Sequence, residues 1–206
     1  MPFVKRDART PPAPDPAPAF ATLLEDLRSL EAETRWRAAR SIGERAEAVP
    51  ALAAALDAEQ EPRVREAIMT ALMRIGTRAS AAVVLPELRS DDAARRGAAL
   101  EVLQALPHAT APFVAALFGD DDADVRILAV EVLRGMPADA ATRLLCDLLK
   151  TEQHPNVCAA AIDVLAEVGT REALPVLEAC ARRFAGVPFL PFAVSTAIAR
   201  ISGQEG

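Results

Sequence analysis

Four aspartates stand within five positions, Asp120, Asp121, Asp122 and Asp124, at the start of the stretch "DDDADVRILAVEVLRGMP". Carboxylates this dense are the raw material of a calcium site. A calcium loop, however, needs oxygen ligands at alternating positions, a glycine at its turn and a distal glutamate. Ile127, Leu128 and Ala129 break that spacing, so the aspartates read instead as a turn and a helix cap. The second grouping that invites chemistry is Cys146, His154 and Cys158. Structural zinc takes four ligands at closer spacing. Cys146 lies among Leu144, Leu145, Leu148 and Leu149, where a thiol behaves as a small hydrophobe. No phosphate loop and no Ser-His-Asp arrangement stands out. The residues therefore assign no catalytic group, no metal and no cofactor, and the chain reads as a non-enzyme.

What elements carry these residues? The chain is 51% hydrophobic and 4% aromatic, with nine glycines in 206 residues. Ala and Leu dominate, and both are strong helix formers, so an all-α chain is expected. The net charge is −6, which disfavours a nucleic-acid partner, since phosphates call for a surplus of Lys and Arg. Cys146, Cys158 and Cys180 are odd in number, which fits a reducing cytosol. The longest uncharged run, 102–119, is broken by Pro107 and Pro112, so no membrane span is expected.

The organising signal is an internal repeat. Arg35, Arg65, Arg96, Arg126, Cys158 and Pro191 mark equivalent anchors, 30 to 33 residues apart. Three residues after each anchor stand Ala38, Ile68, Ala99, Ala129, Ala161 and Val194. Seven after stand Ile42, Leu72, Leu103, Leu133, Leu165 and Ile198. Steps of three and four place these on one helix face. A Gly or Pro (Gly76, Pro107, Pro137, Gly169) closes most of these helices. Shorter apolar segments between them supply a second set of helices, with Pro50, Pro112 and Pro175 read as lying near their starts. The expected architecture is about six helix-turn-helix units stacked as an α-solenoid over residues 19–206.

Val64-Arg65 with Ile75-Gly76, and Val125-Arg126 with Ala129 and Leu133, follow an Asp-rich turn, Val-Arg, Ala-Leu, Ile-Gly pattern. This pattern resembles HEAT repeats, in particular the short kind first associated with phycobilisome lyases. The resemblance implies a right-handed superhelix whose second helices line the concave side. It also implies a bacterial cytosolic scaffold for a partner protein, including signalling proteins of the chemotaxis or response-regulator type. A lyase subunit or chaperone handling a tetrapyrrole is the alternative it implies. The departures are Cys158 and Pro191, which interrupt a continuous arginine ladder. Residues 1–18, with six prolines, read as an extended or disordered tail that is solvated, docks on a partner or caps the first repeat.

Candidate partner-binding residues follow from the helical phase. At plus one stand Trp36, Ile127 and Phe192; at plus four an apolar stripe of Met69, Leu100, Val130 and Ile162, with Met73 beside it. At plus five runs an acidic row, Glu101, Glu131 and Asp163. An apolar floor with an acidic edge suits an amphipathic basic helix or loop of a partner. Plus four also lies near the flank of the helix, where the same stripe would pack neighbouring second helices together.

Overall fold

The computed structural model describes residues 19–203. The proline-rich tail, residues 1–18, lies outside the described residues.

Among the described residues there are twelve α-helices and no strand. One layer holds α1 (Phe20–Asp26), α3 (Val49–Ala58), α5 (Arg78–Val84), α7 (Pro107–Leu117), α9 (Ala138–Thr151) and α11 (Leu174–Arg183). The other holds α2 (Ala32–Ser41), α4 (Pro62–Ile75), α6 (Ala93–Ala105), α8 (Ala123–Val132), α10 (Pro155–Val168) and α12 (Phe189–Gly203). Each second helix packs on the next, from α2 and α4 through to α10 and α12, and the units stack as a solenoid. No described helix is long and apolar enough to cross a membrane.

The core lies between the layers and carries the repeat pattern. All six plus-three residues are buried, from Ala38 to Val194. Of the plus-seven residues, Ile42, Leu72, Leu103, Leu133 and Leu165 are buried and Ile198 is half-buried. Burying each Leu or Ile contributes about 1.5–3 kcal/mol. A solenoid needs this from every unit, because no unit buries its apolar face alone.

Helix boundaries differ from the expectation at one proline. Pro112 lies inside α7, not in its first turn. The helix begins earlier, at Pro107, and Leu106 is the single residue linking it to α6. Pro107 has no N–H to lose at that first position. The Thr110 hydroxyl donates to the Leu103 carbonyl at 3.1 Å and so answers an acceptor at the end of α6. Gly76 ends α4 at φ +66°, a left-handed backbone that a Cβ disfavours.

Five of the six turns leading into the second helices share one hydrogen-bond rule. Six residues before the anchor stands a side-chain oxygen, which accepts the backbone N–H two residues later. Ser29 accepts from Glu31 (3.2 Å), Glu59 from Glu61 (2.9 Å), Ser90 from Asp92 (3.2 Å), Asp120 from Asp122 (3.0 Å) and Glu152 from His154 (2.7 Å). Asp92 and Asp122 then cap α6 and α8 by accepting from Ala94 and Asp124, each at 2.8 Å. The aspartate run is thus a turn followed by a cap.

The anchor arginines close the same turns. Arg35 donates to the Ser29 and Leu30 carbonyls, Arg65 to Gln60, Arg96 to Ser90, and Arg126 to Asp120 and Asp121. Where the next turn supplies a glutamate, the guanidinium also takes a two-pronged carboxylate: Arg35 with Glu59 at 2.7 and 2.9 Å, Arg126 with Glu152 at 2.9 and 3.3 Å. The Arg35 guanidinium holds the Glu59 carboxyl below its ordinary range, against the opposing push of burial. Burial pushes Glu152 up, but the Arg126 guanidinium and the His154 N–H outweigh it and leave Glu152 low as well. The turn that Arg65 faces offers the shorter Ser90 at this position, and Arg65 Nε is buried without a partner.

At Cys158 the ladder continues by another route. The thiol sits 3.5 Å from the Glu152 carbonyl, where the four preceding repeats place an arginine. Arg183, at the end of α11, reaches in and donates to the carbonyls of Leu149 (2.7 Å), Lys150 (3.0 Å) and Glu152 (2.9 Å). It also approaches the Cys158 Sγ at 3.9 Å. The cation that the anchor lacks is supplied from the next unit. The neighbouring Cys180 thiol, together with burial, pushes the Cys158 thiol up. All three cysteines are free and buried.

Candidate partner-binding face

The second helices present one face away from the core, and the sequence-predicted residues divide on it. Met69, Val130 and Ile162 are buried, at 3%, 0% and 1% exposure. They are not a groove floor. Plus four turns toward the adjacent second helix, and these side chains fill that seam. Leu100 and Met73 are half-buried against the core. Trp36 and Ile127 at plus one are half-buried, and Phe192 stands 74% exposed with Phe189 exposed one turn before it.

The acidic row is a cluster around one cation. Arg134, in the 3-10 turn Leu133–Gly135 that follows α8, donates to Glu131 at 2.6 Å and to Asp163 at 2.7 Å, and pairs also with Glu167. Glu131 first, then Asp163 and Glu167, raise the Arg134 pKa, with burial opposing them. Three carboxylates therefore share one guanidinium. Asp163 and Glu167 keep 62% and 49% of their side-chain surface, so both remain open to a further cation. Glu101 is exposed and has no ion-pair partner among the described residues. Gln104 ties α6 to α8 by donating to the Glu131 carbonyl at 2.8 Å. Gly135 packs so closely beneath this cluster that a Cβ there would fall on the Gln104 carbonyl.

The opposite end of the face is cationic. Trp36 is flanked by two guanidiniums, Arg63 at 3.9 Å and Arg40 at 4.8 Å from the ring centre. Arg63 is held by Glu33 at 3.0 Å, and Arg74 donates to the Arg40 carbonyl at 3.3 Å. These residues line a shallow cleft of about 360 Å³ with Glu66 and Thr70. Arg40, Arg63, Arg74, Arg134 and Glu167 were not singled out by sequence. They sit two residues before an anchor or five, eight and nine after it, positions whose relation depends on the register of adjacent helices.

Among the described residues no group of three His, Cys, Asp or Glu side chains could hold a metal ion. Asp120 is instead occupied by Arg89, at 2.9 Å from its Nε, and by the Asp122 N–H.

A model of HEAT repeats matches residues 20–104 and 110–184. The chain belongs to the HEAT-repeat family. No curated protein matches it. Among solved structures, these HEAT repeats are similar to the complex of CpcE and CpcF of phycocyanin lyase from Nostoc sp. PCC7120, at 22% identity and a TM-score of 0.49, covering 90% of this chain and 76% of that one. They are similar also to a designed armadillo repeat protein in complex with the peptide (KR)4, at 16% identity and a TM-score of 0.45, covering 88% and 99%. The HEAT units explain why the second helices form one continuous surface: every repeat delivers its plus-one and plus-five side chains to the same side.

Proposed function

We propose that this HEAT-repeat protein is a non-enzymatic scaffold whose second-helix face binds a basic, amphipathic segment of a partner protein. The observation that carries this reading is the charge imbalance around Arg134: Glu131, Asp163 and Glu167 share it, and Glu101 stands free nearby in sequence order on the same face. Lys or Arg side chains of a partner would answer the surplus. Ile127 and Phe192, at plus one on the same face, offer apolar contact, each worth about 1.5–3 kcal/mol when buried. A bacterial signalling protein, the partner class that the sequence resemblance implies, would bring such a segment. Three free thiols suit a reducing compartment such as the cytoplasm.

The test is a titration with a basic amphipathic helical peptide, read by calorimetry. Reversing Glu101, Asp163 and Glu167 to Lys together weakens binding by roughly tenfold or more, because each lost charged contact counts for about 1.5–3 kcal/mol. Affinity unchanged by the reversal overturns the reading. Bilin or haem added to the same protein gives no absorbance shift; a shift would favour chromophore handling instead.

A further inference from the structure

The cationic end of the face has no role in the reading above. Trp36 there forms a platform between Arg63 and Arg40, with Arg74 beside them. Of the three arginines, Arg63 is committed to Glu33. Arg40 and Arg74 have no carboxylate partner among the described residues; Arg74 touches only the Arg40 carbonyl, and both are exposed. Glu66 is the one carboxylate lining the cleft, so the guanidiniums outnumber it. A guanidinium fork matches a carboxylate, and an aromatic ring between two forks holds them in place by cation–π attraction.

We infer that this cleft binds an acidic segment of the partner protein, with Arg40 and Arg74 taking Asp or Glu carboxylates over the Trp36 platform. The inference rests on the scaffold reading and adds a direction to it. The face is positive over α2 and α4 and negative over α8 and α10, so a partner of split charge is accepted in one orientation along the solenoid. Its acidic part lies on the first repeats and its basic part on the later ones. An oligonucleotide would also stack on a tryptophan among arginines, but it would then run onto Glu101, Asp163 and Glu167.

Trp36 is the single tryptophan of the chain and reports on its own site. The full chain is titrated with a short oligoglutamate peptide, following Trp36 fluorescence and, in parallel, calorimetric heat. Saturable binding is expected, weakening with salt. The double variant Arg40→Ala/Arg74→Ala weakens it by roughly tenfold or more while its circular dichroism stays unchanged. The Glu101→Lys/Asp163→Lys/Glu167→Lys variant does not lose affinity for oligoglutamate, so failure of this cleft and failure of the acidic end are told apart. No heat and no fluorescence change with the wild-type chain, equal affinity in the arginine double variant, or tighter binding of single-stranded oligonucleotide at the same salt would each overturn the inference.

Discussion

Arg126 and Arg134 belong to one repeat, yet they belong to two different regions of the molecule. Arg126 lies at the turn edge, where it joins two backbone carbonyls to Glu152, and the pair keeps only 14% and 8% of its side-chain surface. Arg134 lies on the second-helix face, gathering three carboxylates of which two remain about half open to water. At the edge, each cation is matched to acceptors that must be satisfied for the chain to turn. On the face, charges of one sign exceed those of the other. The difference separates charges that hold the fold from charges left available to a partner.

The sharpest way to break this comparison is to remove each arginine in turn. Arg126→Ala leaves Glu152 buried without its cation and is expected to lower stability by about 3–5 kcal/mol. Arg134→Ala leaves Glu131 half-buried and Asp163 and Glu167 open to water, which can solvate them in place of the guanidinium, and is expected to cost about 1 kcal/mol or less. Urea unfolding of the two variants checks this; equal losses would erase the distinction between edge and face.

A second variant tests whether the edge is one continuous device. Arg183→Ala removes the cation that serves the turn at Cys158 and should cost about 1.5–3 kcal/mol in urea unfolding. Adding Cys158→Arg restores an arginine at the anchor itself and should recover part of that loss. Absence of any recovery would mean that Arg183 does not substitute for the missing anchor.

The acid limb of stability gives a smaller effect. Glu59 and Glu152 have depressed pKa values in the folded chain, so their stabilisation is present above the unfolded value of about 4.3 and is lost as pH falls through the folded values. Unfolding free energy measured downward from about pH 5 should therefore fall steeply, and less steeply in Glu59→Gln/Glu152→Gln. An unchanged slope would show that these carboxylates do not carry the acid dependence.

Much of the fold is legible in the sequence because each repeat states its core twice, at plus three and plus seven, and six copies agree. The turn rule is legible as well once the copies are aligned: Ser29, Glu59, Ser90, Asp120 and Glu152 share an acceptor six residues before the anchor. The face is less legible. Helical phase leaves plus four at the border between seam and surface, and the spacing of adjacent helices decides it, which is why Met69, Val130 and Ile162 are buried. Arg183 replacing an anchor, and Arg134 collecting Asp163 and Glu167, depend on contacts between units that no single repeat contains.

The claim that the face is the working surface is tested most directly by one calorimetric titration. A basic amphipathic helical peptide is added to the wild-type chain and to Glu101→Lys/Asp163→Lys/Glu167→Lys, after thermal unfolding has shown the two to be equally stable. The wild-type chain is expected to bind in a salt-sensitive manner, and the variant to bind roughly tenfold more weakly or worse. Equal affinity for the two proteins would contradict the account.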